Sequence, residues 1–480
     1  MITIPLDPHC RTPLYIQIYE YIRQEILRTQ LHAGEKLPSA RSLAANLQVS
    51  RSTVDTAYEQ LVAEGYVEAK EKRGFFVSPI THMQQIPITN VRSEKTAIAE
   101  EKAVSIRYDF NPDSIDTEHF PYSIWKSIGK NQLDLPGNFL LGNRKGDLPL
   151  RHAIADYLHS SRGVRCTPDQ IIIGAGLDHL LQMLCVLFER RTAIAMEDPG
   201  YRSARQVLVS SGYAIIDIPL REHTLDVNTL ARSSADVCYV TPSHQFPLGS
   251  VMSISRRQAL LAWAAQSKNR YIIEDDHDSE FRYKGKPIPA LQSLDHAEKV
   301  IYIGTFSKAI SPAIRMGYMV LPPHLLTRYD EKCGSYSCPV SRIEQAILTD
   351  FIRQGYFEKH LNRMRKIYKG KHDRILQRID QYFPKAQVNI SGDNAGLYVL
   401  LRYCGPLTEE HIKKRAEKNG IRLRSLRGYY SSLPADYLPT YLLGFANLSE
   451  TQIDEGIRCL AEKVFGGPEP CPPESASEAP

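Results

Sequence analysis

The sequence predicts a multidomain protein in which a small N-terminal domain, residues 1–78, precedes a large α/β domain, residues 105–467. A chain of 480 residues exceeds what one hydrophobic core usually serves. Apolar residues recur at helical spacing in the first segment, whereas short β-branched runs alternate with amphipathic helices after residue 105. Residues 79–104 are polar and lack apolar periodicity, so we expect a flexible linker there and a disordered tail at 468–480.

The composition, with 42% hydrophobic and 24% charged residues, is ordinary for a soluble globular protein. Apolar stretches such as Leu180–Phe188 are far shorter than the roughly eighteen residues that span a bilayer, and the N-terminus has no secretory pattern. We therefore expect a cytoplasmic protein without a membrane segment. The nine cysteines form no Cys-x-x-Cys, which indicates reduced thiols and predicts neither disulfides nor a metal site.

Three helices are predicted in the first domain. The apolar spacing of residues 14–26 indicates an amphipathic helix that ends near Gln30. Ser39 is placed as the N-cap of a second helix, Ala40–Leu47, and a third helix follows a short turn and covers residues 51–64.

The third helix has an apolar inner stripe and leaves polar side chains pointing outward, among them Arg51, Ser52 and Thr53. Two short helices joined by a tight turn, the second polar and basic at its N-terminal end, suit a recognition helix in a DNA major groove. A β-hairpin with the basic tip Lys70-Glu71-Lys72-Arg73-Gly74 follows, typical of the wing of a winged helix. Nine basic and nine acidic residues balance in this domain, so the pattern and not the charge predicts DNA binding. The alternative is a small helical domain with solvated basic residues.

This domain resembles the GntR family of bacterial regulators. The matching blocks are Leu37-Pro38-Ser39-Ala40-Arg41, Val49-Ser50-Arg51-Ser52-Thr53-Val54, and Glu64-Gly65-Tyr66 with Gly74-Phe75-Phe76-Val77. The resemblance implies a winged helix-turn-helix that binds a double-stranded DNA operator through Arg41, Arg51, Ser52, Thr53, Arg73 and Gly74.

The large domain contains short apolar runs that are typical of buried parallel strands, and ligands in such folds bind beyond the carboxyl ends of the strands. The run 300–303 is followed by Gly304-Thr305-Phe306-Ser307-Lys308 and then by Arg315. A lysine in this position forms an imine with an aldehyde cofactor when its surroundings lower its pKa, and Thr305, Ser307 and Arg315 are candidates to hold a phosphate. The alternative for Lys308 is a solvated cap.

Three further blocks lie where other strands end. Glu274-Asp275-Asp276-His277-Asp278 provides carboxylates that suit either a pyridinium nitrogen or a metal such as magnesium, and the Lys308 block favours the pyridinium. Gly174-Ala175-Gly176 precedes a helix whose N-terminal N–H groups can receive phosphate, and Tyr201 follows a strand where an aromatic ring can stack on a planar ring.

Together these blocks, with Gly146-Asp147-Leu148-Pro149-Leu150-Arg151 and the region 241–249, resemble fold-type I aminotransferases; with the preceding winged helix the chain resembles the MocR subgroup of GntR regulators. The resemblance implies an α/β domain with a large mixed sheet, helices on both faces and a smaller α+β C-terminal subdomain. It implies pyridoxal 5'-phosphate as cofactor and a homodimer. The implied cofactor contacts are Lys308 as the imine lysine, Asp275 at the pyridinium, Tyr201 stacking, and Arg315, Ser307 and Thr305 with Ala175 and Gly176 at the phosphate.

The sequence departs from the aminotransferase pattern at several positions. His277 replaces a tyrosine that meets the cofactor's phenolic oxygen, and the asparagine of the Asn-Pro-x-Gly motif is replaced within residues 244–247. Asn447 stands where an arginine clamps the substrate carboxylate, and Ser203 where the GABA-responsive member of the subgroup has an arginine. The arginines of 421–427, which are Arg422, Arg424 and Arg427, are either a substitute anchor or solvated surface groups.

These observations predict a ligand-responsive transcription regulator, without catalytic residues of its own, that senses an amine-bearing effector through Lys308. One alternative is an active aminotransferase with an accessory DNA-binding domain. Another is a regulator whose large domain has lost the cofactor and serves as a dimer scaffold. The candidate effectors include an amino acid, a small amine or peptide, and the vitamin itself.

Overall fold

In a computed structural model of the chain, the described residues are 4–8, 10, 12–79, 106–283 and 288–466. The chain divides into two compact units, Met1–Lys102 and Ala103–Pro480. Most of the predicted linker and all of the predicted tail lie outside the described residues, so the domain limits stay predictions. In the described ranges, no helix combines the length and apolar character needed to cross a membrane.

The first unit contains three helices and a β-hairpin. Its elements are α1 (Leu14–Leu27), α2 (Ala40–Leu47), α3 (Arg51–Ala63), β1 (Val67–Lys70) and β2 (Gly74–Val77). The prediction that α1 extends to near Gln30 is wrong, because Thr29 has the positive φ of 57° that ends a helix. The predicted N-cap is confirmed, since Ser39 Oγ accepts a hydrogen bond from the Ser42 N–H at 3.1 Å.

The β-hairpin of the first unit is tied to the segment between α1 and α2. The Gly34 N–H donates to the Val77 carbonyl at 2.8 Å, and the Leu37 N–H donates to the Phe75 carbonyl at 2.9 Å. Tyr58 of α3 packs edge-on against Phe75, with ring centroids 4.8 Å apart. Its hydroxyl donates to the Pro38 carbonyl at 2.9 Å, directly before the cap of α2. The hairpin and the helix pair therefore share one core.

The second unit is built around an eight-stranded sheet. Its helices are α4 (Tyr122–Leu133), α5 (Leu148–Arg162), α6 (Leu177–Leu187), α7 (Arg202–Ser210), α8 (Val227–Arg232), α9 (Ile254–Ala265), α10 (Pro323–Cys333), α11 (Arg342–Arg353), α12 (Tyr356–Tyr382), α13 (Glu409–Lys418) and α14 (Glu450–Cys459). Its strands are β3 (Tyr108–Asp109), β4 (Ile171–Gly174), β5 (Ala193–Asp198), β6 (Ala214–Arg221), β7 (Thr224–Leu225), β8 (Val237–Val240), β9 (Tyr271–Asp276), β10 (Val300–Thr305), β11 (Gly317–Val320), β12 (Val388–Ser391), β13 (Tyr398–Tyr403), β14 (Ile421–Arg422), β15 (Arg424–Ser425) and β16 (Thr440–Gly444).

The strand order in the large sheet is β4-β11-β10-β9-β8-β5-β6-β7. The short apolar runs of the large domain form β4, β5, β8, β9 and β10, which run in one direction. The sequence did not predict β11, which inserts antiparallel between β4 and β10 and makes the sheet mixed. A smaller sheet, β12-β13-β16-β15, forms the C-terminal part of the unit.

Alternate side chains of the strands enter different cores, which places helices on both faces of the large sheet. Ile171 and Ile173 pack into one apolar cluster with residues of α5, α11 and α12. Ile172 packs into another cluster with residues of α6, α7 and α10. This two-residue alternation is what a strand imposes, and it leaves the carboxyl ends of the strands free to carry polar side chains.

Candidate cofactor-binding site

A cavity of about 130 Å³ lies at the carboxyl ends of the central strands. It is lined by residues that are distant in sequence, including seven of the predicted site residues: Tyr201, Asp275, His277, Thr305, Ser307, Lys308 and Arg315. The remaining lining residues are Pro112, Asp113, Leu177, Asp178, Thr241, Phe246, Asp278, Leu397 and Tyr398.

Lys308 follows β10 and lies close to the segment 112–113. Its Nζ donates a hydrogen bond to the Pro112 carbonyl at 2.7 Å and lies 3.9 Å from Asp113 Oδ1. Burial lowers the pKa of Lys308, because a desolvated ammonium loses its hydration. A lower pKa increases the fraction of Lys308 in the neutral amine form, which is the nucleophile in imine formation.

The carboxylates that end β9 have separate partners. Glu274 accepts hydrogen bonds from the N–H groups of Leu291 and Gln292 at 2.7 and 2.8 Å. Asp276 accepts from Arg162 Nε at 2.8 Å and from the Tyr302 hydroxyl at 2.6 Å. Both carboxylates already accept hydrogen bonds from the protein, so neither is available to a ligand.

Asp275 faces the cavity from the same strand. The Tyr239 hydroxyl donates to its Oδ2, while Oδ1 is buried and has no hydrogen-bond partner among the described residues. Burial raises the pKa of Asp275 to about 7. A buried carboxylate oxygen without a partner is costly, and a protonated ring nitrogen would satisfy it. This site therefore fits the pyridinium group of pyridoxal phosphate. Sequence reasoning missed Tyr239, whose signal was a tyrosine within an otherwise apolar strand.

His277 lies beside His244, another residue whose contact sequence reasoning missed. The two rings stack with centroids 5.7 Å apart, and His244 Nδ1 lies 2.8 Å from Asp278 Oδ1. Within the described part of the chain, His244 Nε2 has no hydrogen-bond partner, whereas His277 Nε2 lies 3.2 Å from Asp278 Oδ1. Burial lowers the pKa of His277, which favours the neutral imidazole at neutral pH. His244 itself is buried and does not line the cavity, so its contacts are to Asp278 and to the His277 ring.

His244, His277 and Asp278 also bring one potential metal donor atom each to within 4.8 Å of one another. The sequence spacing gave no sign of this cluster. Because His244 Nδ1 and His277 Nε2 both lie close to Asp278 Oδ1, we interpret the cluster as a carboxylate that positions the two histidines.

The predicted phosphate residues meet at the N-terminus of α6. Gly176 is the N-cap of this helix, with φ at +89°, and a Cβ there would lie 2.8 Å from Arg315 Nη2. Arg315 Nη2 donates to the Ala175 carbonyl at 3.2 Å. Thr305 and Ser307 line the same cavity. Helix N–H groups, a guanidinium and two hydroxyls form a site with the chemistry of a phosphate cradle.

Tyr201 lies directly before α7 and reaches the cavity beside Phe246. Their rings meet edge to face, with centroids 5.2 Å apart and an interplanar angle of 89°. This contact fixes the orientation of the Tyr201 ring at the wall of the cavity, where a planar ligand can lie against it.

The residue that the sequence placed at the carboxylate clamp does not face the cavity. Asn447 is exposed, and its amide donates to the Asp109 carbonyl at 3.3 Å, outside the cavity lining. Of the three candidate arginines, Arg422 pairs with Asp109 at 2.9 Å and Arg427 with Glu409 at 3.7 Å. Arg424 pairs with Asp113, a cavity residue, at 3.3 Å.

The predicted DNA-binding residues lie on the outer surface of the first unit. Arg41, Arg51, Ser52, Arg73 and Gly74 are exposed, whereas Thr53 is half-buried. Ser50 Oγ caps α3 by accepting from the Thr53 N–H at 3.2 Å, and it lies within hydrogen-bonding distance of the hydroxyls of Ser52 and Thr53. The cap orders the helix end that the sequence assigned to the major groove.

Comparison with known proteins agrees with both halves of this description. Residues 14–77 match the family of bacterial regulatory proteins of the gntR type, and residues 115–459 match aminotransferase class I and II. The chain therefore belongs to the GntR regulators that carry an aminotransferase-like domain. Within them it is a member of the MocR subgroup.

Two relatives and one solved structure illustrate the similarity. The chain is 41% identical to the HTH-type transcriptional regulator YdeL of Bacillus subtilis, over 93% of this chain and 96% of that protein. It is 33% identical to the probable rhizopine catabolism regulatory protein MocR of Rhizobium meliloti, over 95% and 94% of the two chains. The kynurenine aminotransferase of Pyrococcus horikoshii, solved with PMP, matches with a TM-score of 0.67 and 26% identity, over 79% of this chain and 98% of that one.

Proposed function

We propose that the protein is a pyridoxal-phosphate-dependent transcription regulator that binds a DNA operator and senses an amine-bearing effector at Lys308. The observation that carries this proposal is that one cavity is lined both by Lys308 and by Asp275, whose Oδ1 is buried without a hydrogen-bond partner among the described residues. We propose a cytoplasmic location because the DNA target lies there, with domain limits of 1–78 and 105–467.

The cofactor, when bound, supplies an aldehyde that condenses with amines and a ring that withdraws electrons. Lys308 offers an amine in the cavity whose pKa is lowered by burial, and Asp275, hydrogen-bonded by Tyr239, would hold a proton at the ring nitrogen. His277 is positioned to meet the phenolic oxygen, and Tyr201 to flank the ring. The residues proposed to bind the phosphate are Ala175, Gly176, Thr305, Ser307 and Arg315.

DNA binding is assigned to the first unit. The capped N-terminal end of α3 exposes Arg51 and Ser52, and the turn between β1 and β2 exposes Arg73. An effector changes operator binding only as far as its own affinity differs between two arrangements of the protein. The chemistry at Lys308 would provide that difference.

A homodimer is proposed from an exposed apolar segment in the second unit. Leu133, Leu135, Phe139, Leu140 and Leu141 are each more than half exposed. Contiguous apolar side chains on a surface mark an interaction site, and a second copy of the chain is the partner that the resemblance implies.

An active aminotransferase is the second candidate function, because the imine lysine and the pyridinium carboxylate that such an enzyme needs, Lys308 and Asp275, both line the cavity. Steady conversion of an amino donor and a keto acid by purified protein, abolished by Lys308→Ala, would establish it.

The proposal is tested by titrating purified protein with amines while recording the visible absorbance of the cofactor and the affinity for operator DNA. We expect an absorbance band that Lys308→Ala removes, and an effector that changes the band and operator affinity over the same concentration range. A protein without the band would instead be the dimer scaffold. Equal affinity for operator and random duplex would overturn the regulator proposal.

A further inference from the structure

Asp113 lies between two cations at the cavity. Its Oδ1 is 3.9 Å from Lys308 Nζ, and its Oδ2 is 3.3 Å from Arg424 Nη1. The Asp113 and Arg424 side chains are 48% and 46% exposed, so solvent screens their attraction and a pair of this kind contributes little stability. The Asp113 carboxylate thus contacts both the Lys308 amine and the Arg424 guanidinium, and another anion could displace it from either contact.

Arg424 differs from the neighbouring arginines in its partner. Arg422 is paired with Asp109 and Arg427 with Glu409, neither of which lines the cavity. Arg424 is the first residue of β15, where Arg424 and Leu442 of β16 are register partners. The backbone of Arg424 is therefore held in the small sheet, while its guanidinium reaches Asp113 at the cavity.

We propose that Arg424 is the anchor for a carboxylate of the effector, and that Asp113 holds this position until the effector carboxylate displaces it. The inference rests on the proposed sensing function and adds the class of ligand: an amine that also carries a carboxylate. A guanidinium binds a carboxylate through two parallel hydrogen bonds, which the single 3.3 Å contact to Asp113 does not provide. An amine without a carboxylate would leave Arg424 with Asp113 and gain nothing from it.

The first experiment compares straight-chain amino carboxylates of two to six carbons with alkylamines of the same lengths, on cofactor-loaded protein. We expect at least one amino carboxylate to half-saturate the absorbance change at a concentration tenfold or more below that of its matched amine. Arg424→Gln should remove this preference, and the matched control Arg422→Gln should keep it. Asp113→Asn, which removes the competing charge, should lower the half-saturating concentration several-fold.

A second experiment needs neither cofactor nor imine. Alkyl carboxylates of the same lengths are tested for binding to Lys308→Ala protein by ligand-observed NMR, with and without Arg424→Gln. Binding that Arg424→Gln abolishes supports the anchor even where the cofactor band is missing and the proposed sensing function fails. An unchanged preference in Arg424→Gln, no preference in the wild type, or carboxylate binding that is indifferent to Arg424 would each overturn the inference.

Discussion

At the residue scale, the three carboxylates Glu274, Asp275 and Asp276 have similar chemistry but different surroundings, because a strand directs successive side chains to opposite faces. Successive side chains of a strand point to opposite faces, so Asp275 points away from its two neighbours. Glu274 and Asp276 meet backbone N–H groups and Arg162 inside the protein, while Asp275 reaches the cavity. One position in three therefore remains available to a ligand, which is why a run of acidic residues alone does not identify the functional one.

His277→Tyr is predicted to change the pH titration of the cofactor's visible band. The wild-type imidazole is buried and its pKa is lowered, whereas a phenol presents a hydroxyl donor throughout the neutral range. We expect the midpoint of the band to move by about half a pH unit or more. Spectrophotometric titration of both proteins measures this, and superimposable curves would show that His277 does not touch the cofactor.

Glu197→Gln is predicted to weaken the pH dependence of stability in the cofactor-free protein. Burial raises the pKa of Glu197 to about 7, so the native carboxyl keeps its proton between about pH 4.5 and 7 while the unfolded chain loses it. The native state then binds more protons, and the free energy of unfolding falls as pH rises through this window.

The glutamine removes this contribution, which is on the order of 2–3 kcal/mol between pH 4.5 and 7.5. Denaturant midpoints at a series of pH values measure the effect in both proteins. If the free energy of unfolding changed by the same amount across this pH window in both proteins, the prediction would be contradicted.

Sequence reasoning found the site residues that follow strands and missed those that support them. Lys308, Asp275, Tyr201 and Arg315 were expected from their places at the ends of strands, and the structure brings them to one cavity. The contact between Tyr239 and Asp275 joins residues 36 positions apart, and no local pattern encodes such a pair. The roles of all these residues in cofactor binding remain predictions.

At the element scale, the N-terminus of α6 depends on Gly176. The sequence predicted a helix after Gly176 that contains the apolar stretch Leu180–Phe188, and α6 covers Leu177–Leu187 with Gly176 as its N-cap. The sequence did not predict β11, because its four residues give little periodicity to detect.

Gly176→Ala is predicted to weaken cofactor binding by at least tenfold, about 1.4 kcal/mol. The added Cβ would lie 2.8 Å from Arg315 Nη2 and displace the guanidinium from the phosphate cradle. Gly212→Ala is the matched control, because its φ of +88° imposes similar backbone strain while no atom lies within 4 Å of the added Cβ. Fluorescence or absorbance titration with pyridoxal phosphate measures both, and equal losses would assign the effect to strain alone.

Arg51→Ala is predicted to weaken operator binding by about 1–3 kcal/mol if the guanidinium reads a guanine edge. Arg51 is exposed at the capped end of α3, and its contact with Asp55 at 3.3 Å is a surface pair that DNA can replace. Arg28→Ala, at the end of α1, serves as the control. Fluorescence anisotropy with operator and random duplexes measures the change, and an equal loss on both duplexes would mean that Arg51 contacts phosphate.

At the scale of the whole molecule, Leu141→Asp is predicted to weaken dimerisation by at least tenfold, about 1.4 kcal/mol. Leu141 is 89% exposed within an apolar segment, and an aspartate there would have to be desolvated in an interface. Ile254→Asp, also on an exposed apolar side chain, is the control. Sedimentation velocity over a range of concentrations measures the dimer fraction, and an unchanged fraction would place the interface elsewhere.

The hydrogen bonds from Gly34 and Leu37 to β2, together with the packing of Tyr58 on Phe75, have a mechanical consequence. These contacts restrain the hairpin and α3 against the same short connection between α1 and α2. If the first unit binds DNA as proposed, the helix pair and the hairpin would contact the duplex together. Under the proposed sensing function, an effector would then act on the spacing between two bound half-sites more than on the bases that one first unit contacts.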